Sequence, residues 1–198
     1  MNKEDYLALS QELDVEPALL KAVHVVECGG GDGFLPSGRP KILFEAHQFY
    51  KYLKQKRGAD FASDISGKYT NICWPNWDRK KYFGGEREWE RLELARSIDY
   101  DVANLATSWG LGQIMGFNYA LAGCSSIDEF VQRNMFSTAE QMFMFGIFLQ
   151  QSGLLHKLRR KDWAGFAKGY NGSSYAQNSY DIKLKQAYEK AVNQGYNS

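Results

Sequence analysis

Apolar residues recur at helical spacing in several stretches of the chain, and the breaks between them fall at glycine, proline and capping residues. After Pro17, which suits a first helical turn, Leu19, Leu20, Val23 and Val26 form one face of a predicted helix that closes on Glu27. Cys28 and then Gly29, Gly30 and Gly31 end it. Residues 34–44 carry Pro36, Gly38 and Pro40 before Ile42-Leu43-Phe44, a turn feeding a short strand. Phe49, Tyr50 and Leu53 continue as a helix. Residues 67–85, with Trp74-Pro75-Asn76-Trp77, read as a long surface loop of the kind that serves as a lid or binding edge.

Trp89, Leu92, Leu94 and Ala95 give residues 86–98 a helical period. Ser126 with Glu129, and Ser137 with Glu140, are Ser-x-x-Glu capping boxes opening two more helices. The second leads into Met142-Phe143-Met144-Phe145 and Ile147-Phe148-Leu149, apolar on nearly every side and therefore expected to be a buried central helix. Asp162 is placed to cap a helix running to Gly169, and residues 182–192 supply a final amphipathic one. The pattern predicts a mainly α chain, helical with a small strand-and-loop lobe inserted after Glu27. With neither repeat nor low-complexity linker in its 198 residues, it reads as a single domain, 1–198.

Composition narrows the class of function. A net charge of +1 gives no electrostatic footprint for nucleic acid. The aromatic share of 15% suits a rich core or a groove that stacks on flat rings such as sugars. Three cysteines without CxxC spacing, Cys28, Cys73 and Cys124, fit reduced thiols better than a disulfide framework or a zinc site. The polar start, Met1 to Tyr6, lacks the apolar stretch of a secretory signal, and residues 142–149 are too few to span a bilayer, so synthesis in the cytoplasm without stable membrane insertion is expected.

Glu27 is the residue on which chemistry is expected to turn. A carboxylate at the C-terminal end of an apolar helix is repelled by the helix dipole, and greasy neighbours raise its pKa. The glycines behind it leave the backbone open to a ligand. Those are the conditions for a general acid near neutral pH. The ordinary alternative, a solvated helix-end glutamate, fits poorly with Ala22-Val23-His24-Val25-Val26 before it.

Two further segments stand out: Thr107-Ser108-Trp109-Gly110-Leu111-Gly112-Gln113-Ile114-Met115-Gly116, and Ala167-Lys168-Gly169-Tyr170-Asn171-Gly172. A glutamate at a helix end, a Ser-x-Gly-x-x-Gln turn, then Tyr-Asn at another helix end: this order resembles the lysozyme-like superfamily. It is closest to goose-type lysozymes and lytic transglycosylases, whose motifs read Glu-Ser, Gly-Leu-Met-Gln and Ala-Tyr-Asn. The stretches from Gly33 to Glu45 and from Ser108 to Gly116 are similar to the phage-type N-acetylmuramidase (endolysin) family, and the likeness covers nearly the whole chain. The resemblance implies a lysozyme-like helical domain whose small lobe forms one side of a substrate cleft. It also implies Glu27 as the acid, with Ser108, Gln113, Tyr170 and Asn171 binding substrate or orienting the acid. Without the resemblance, Ser108 and Gln113 are a glycine-bracketed turn and Tyr170-Asn171 a helix stop; Trp109 is read as a core residue, with stacking on sugar as its alternative.

The second catalytic group is open. Glu45, after Ile42-Leu43-Phe44, could steady the oxocarbenium-like charge, activate water or bind sugar hydroxyls; Asp32, Asp99 and Asp101 compete with it. Cys28 stands where the related lysozymes have serine, and a thiol is a weaker donor. Cys28 as a nucleophile with His24 as base, or zinc held by His24, Cys28 and His47, lacks a supporting acid or a fourth ligand; His47 and His156 read as structural or surface residues.

The expected function is thus a glycoside hydrolase, cutting peptidoglycan strands between N-acetylmuramic acid and N-acetylglucosamine, with no cofactor or metal, as a monomer. A lytic transglycosylase giving 1,6-anhydro products is the chemical alternative, and a catalytically silent wall-binding module the non-enzymatic one. The resemblance implies action on the cell wall after release by a separate pore protein, or after export as a toxin.

Overall fold

The computed structural model describes residues 1–172, 176 and 178–197. In chain order its helices are α1 (Lys3–Leu13), α2 (Pro17–Glu27), α3 (Ala46–Arg57), α4 (Ala59–Lys68), α5 (Glu86–Arg96) and α6 (Tyr100–Leu105). They continue with α7 (Ile127–Asn134), α8 (Thr138–Gln151), α9 (Leu155–Arg159), α10 (Trp163–Asn171) and α11 (Tyr180–Asn193). The strands are β1 (Ile42–Phe44), β2 (Thr107–Trp109) and β3 (Ile114–Met115). Contacts divide the chain into two compact units, one of residues 1–33, 121–123 and 137–198, the other of residues 34–120 and 124–136.

Among the described residues, the regular elements of the first unit are all helices. Asn2 and Asp5 close a capping box on α1, each side chain accepting the other's backbone N–H at 2.9 and 2.7 Å. Pro17 opens α2 as expected, and Gly29 and Gly30, both at positive φ, end it, with the Gly30 N–H turned back onto His24 O. As its all-round apolarity predicts, α8 is buried on most sides, with Met142, Met144, Phe145 and Leu149 out of solvent. A side-chain carbon at Gly146 would stand 2.2 Å from Leu13 Cδ1, so α8 meets α1 there on a bare backbone. Asp162 accepts Gly165 N–H at 3.0 Å and caps α10, and α11 lies along α2.

The second unit carries the antiparallel sheet β1-β2-β3. Register pairs Ile42 with Trp109, Leu43 with Ser108 and Phe44 with Thr107, then Ser108 with Met115. Trp109, 1% exposed, packs edge-on to Trp89 at 5.7 Å and is a core residue. Gly116 is fixed by space: a side-chain carbon would stand 2.0 Å from Asn104 O.

The outer edge of β1 is completed by side chains. Phe44 N–H donates to Glu88 Oε2 at 3.1 Å, and Phe44 O accepts from Arg91 Nη1 at 3.0 Å. The ion pair, 2.6 Å apart with side chains 0% and 2% exposed, stands in for the missing neighbouring strand. Glu88 Oε1 also accepts Phe83 and Gly84 N–H at 2.7 and 2.9 Å, while Arg91 Nε and Nη2 donate to Asn71 O at 3.1 and 2.8 Å. One buried pair therefore anchors the strand ahead of Glu45 and both ends of the loop that joins α4 to α5.

Candidate active site

In the first unit, Glu27 ends α2 with its carboxyl half-buried. Burial pushes its pKa above the ordinary carboxylate range, and the hydrogen bond from Asn171 opposes that rise in part. Asn171 Nδ2 donates to Oε1 and Oε2 at 3.3 and 3.4 Å. The donor is well seated: Tyr170 stacks on Phe166 at 5.9 Å and meets Phe145 edge-on at 5.6 Å, and Gly172 at positive φ stops α10 directly after Asn171. Burial and the nearby Cys28 and Glu27 raise the Tyr170 hydroxyl's pKa, so it stays protonated. Glu27 and the Tyr170-Asn171 corner are thus brought together.

Burial, reinforced by the charge of Glu27, pushes the Cys28 thiol up to about 12, which leaves almost no thiolate nucleophile at neutral pH. Nor is His24 free to serve it as base. His24 is 2% exposed; the Tyr6 hydroxyl donates to Nδ1, and Nε2–H donates to Gly31 O at 2.9 Å. With both nitrogens engaged and burial lowering its pKa, His24 is a neutral bolt between α1 and the glycine turn behind the acid. No disulfide joins the three cysteines.

The second unit holds Ser108, Gln113 and Glu45. Ser108 Oγ, on the middle strand, donates to Gln113 Oε1 at 2.9 Å, and Gln113 Nε2 donates to Gly110 O at 2.8 Å and Lys41 O at 3.3 Å. Gln113 is exposed and holds φ at +46°, unusual for a residue with a side chain. The pair braces the β2–β3 turn, and the Gln113 oxygen keeps a lone pair for a ligand.

Glu45 follows β1 and caps no backbone N–H with its side chain. Tyr82 OH donates to Oε2 at 2.5 Å, and His47 Nδ1 lies 3.2 Å from the same oxygen. Gln48 Nε2 lies 3.1 Å from His47 Nε2, so the imidazole sits between Gln48 and Glu45. Burial, then Glu45, raises the Tyr82 pKa and keeps its hydroxyl a donor. Tyr82 and His47 carry no pattern that sequence spacing could have revealed; a loop tyrosine and a helix histidine meet only in the fold.

The competing carboxylates have other work. Asp99 caps α6 through Val102 N–H at 3.2 Å and pairs with Lys56 at 2.9 Å; Asp101 pairs with Lys56 at 3.2 Å. Asp32 accepts from Thr138 at the start of α8.

A family model described as muramidase, N-acetylmuramidase, matches residues 16–192. The crystal structure of the Burkholderia AP3 phage endolysin is similar, with a TM-score of 0.86 and 38% identity over 98% of this chain and 72% of that one. No curated protein matches. The mainly helical chain with its small three-stranded sheet has the lysozyme-like fold that the motifs imply. Among the described residues, no helix is long and apolar enough to cross a membrane.

Proposed function

The chain belongs to the N-acetylmuramidase family, whose members cleave peptidoglycan glycan strands, and from that premise we propose that it hydrolyses the bond between N-acetylmuramic acid and N-acetylglucosamine with Glu27 as general acid. One observation carries the assignment: a half-buried carboxyl at the end of an apolar helix, with a raised pKa and both oxygens held by Asn171. A carboxyl whose pKa burial raises holds its proton more readily than an ordinary carboxylate and can deliver it to the glycosidic oxygen as oxocarbenium-like charge develops on the sugar. Asn171 aims the acid, and Tyr170 seats Asn171.

Glu45 is the best-supported second group. The Tyr82 hydroxyl donates to Oε2 with His47 beside it, while Asp99 is engaged in capping and an ion pair, Asp101 in an ion pair, and Asp32 with the Thr138 hydroxyl. Its proposed role is to steady the sugar cation or activate water, with Ser108 and Gln113 contacting N-acetyl and hydroxyl groups. The family match, residues 16–192, runs through both units, which supports reading residues 1–198 as one catalytic domain acting on the cell wall.

The test is digestion of purified sacculi by the wild type and by Glu27→Gln, with products read by mass spectrometry. Reducing-end muramic acid from the wild type and none from the variant is the expected result. Wild-type rates in Glu27→Gln would remove the acid assignment; 1,6-anhydro ends would make the enzyme a transglycosylase; binding without released fragments would make it a wall-binding module.

A further inference from the structure

The loop that joins α4 to α5 holds an aromatic residue whose ring stands largely open to solvent. Trp77 is 63% exposed, the most open of the chain's tryptophans, on a segment that is tightly fixed. Ile72 and Cys73 at its start are fully buried, and Phe83 and Gly84 at its end are tied to Glu88. Between them, Asp78 caps the short turn Arg79–Lys81 through Lys80 N–H at 2.9 Å. A floppy loop can expose an indole by chance; a pinned one presents it.

What it is presented beside points to the ligand. The Trp77 ring lies 6.3 Å from that of Tyr82 at an interplanar angle of 51°, and the Tyr82 hydroxyl ends on Glu45 Oε2. Glu45 Oε1 has no hydrogen-bond partner among the described residues, and the side chain is 15% exposed. An open indole face next to a phenol and an unmet carboxylate oxygen matches a pyranose ring, whose axial C–H groups stack on aromatic faces while its rim hydroxyls donate to carboxylates. We infer that Trp77, Tyr82 and Glu45 form a subsite for one N-acetylhexosamine of the glycan strand, with the sugar laid on the Trp77 indole and a hydroxyl donated to Glu45 Oε1. The subsite rests on the chain acting on glycan strands and does not require that Glu27 be the acid.

The experiment uses stem-free glycan strands, released from sacculi by an amidase, titrated calorimetrically into the non-hydrolysing Glu27→Gln protein. Trp77→Ala in that background is expected to weaken binding at least ten-fold, and Trp77→Phe, which keeps a stacking face, by no more than about three-fold. In the active protein, Trp77→Ala should raise KM on the same strands by a similar factor and leave kcat within about two-fold. Trp77 is exposed, so its variants should melt with the parent, and a thermal scan checks this. Unchanged affinity and KM in Trp77→Ala, or no binding of the strands by the Glu27→Gln parent, overturns the subsite. A failed acid assignment shows itself separately, as lysis retained by Glu27→Gln.

Discussion

Arg91→Met removes a buried guanidinium but keeps most of its stem volume. In the native protein that group bonds Glu88, Phe44 O and Asn71 O, with its side chain 2% exposed. Breaking one side of a buried pair strands the other charge and costs about 3–5 kcal/mol. At ~2–4 °C per kcal/mol for a chain of this size, the melting temperature should fall by about 6–20 °C. The double variant Glu88→Leu/Arg91→Met strands no charge, so on charge alone it should recover fully. The contacts predict otherwise, because the carboxylate also receives the buried Phe44 N–H. An unmet buried amide costs about 1–3 kcal/mol, with smaller additions from the Phe83 and Gly84 amides near solvent. The double should therefore sit between the single variant and the wild type. Urea melts followed by circular dichroism, with m-values compared, measure all three. An unmoved midpoint in Arg91→Met, or wild-type stability in the double, would refute the view of this pair as a substitute strand.

Glu27→Gln should melt above the wild type at pH 7 and together with it at pH 3. The folded-state pKa is raised, so the unfolded chain gives up this proton first; stability is lost as pH climbs through the ordinary carboxylate range and regained by no further rise. A gap of equal size at both pH values would contradict the assigned burial. Cys28 should label with an aromatic disulfide reagent at pH 8 slower than a free thiol by roughly two orders of magnitude, since its pKa stands at about 12. Labelling of the folded protein as fast as glutathione would mean the thiol is ionised and would reopen its chemistry.

Most of the longer helices, and the place of Glu27 at the end of one, were legible because their signals are local. Pro17, the glycines after Glu27, Ser126, Ser137 and Asp162 announce ends through short-range hydrogen bonds that the structure reproduces. One capping box is only half made: Ser126 accepts Glu129 N–H, yet the Glu129 carboxylate turns to Ser125. Helices α4 and α9 left no comparable mark, since each is short and leans on tertiary packing; α6 is announced only by its cap, Asp99, with too few residues behind it to show a period. Glu88 and Arg91 were illegible for another reason. In Glu86-Arg87-Glu88-Trp89-Glu90-Arg91 they look like a solvated charged face, and only the fold reveals that these two point inward. The surroundings of Glu45 were hidden too, because Tyr82 is 37 residues away.

The bolt behind the acid reaches beyond the family's own boundaries. The match begins at residue 16 and ends at 192, yet the hydroxyl that His24 receives belongs to Tyr6, whose ring is met edge-on at 5.5 Å by Tyr196. A fragment trimmed to the recognisable core would keep every motif and lose this lock, leaving a sealed imidazole nitrogen without its donor and the Gly31 turn less firmly tethered. Anyone grafting the module onto another protein should carry both tails along with it.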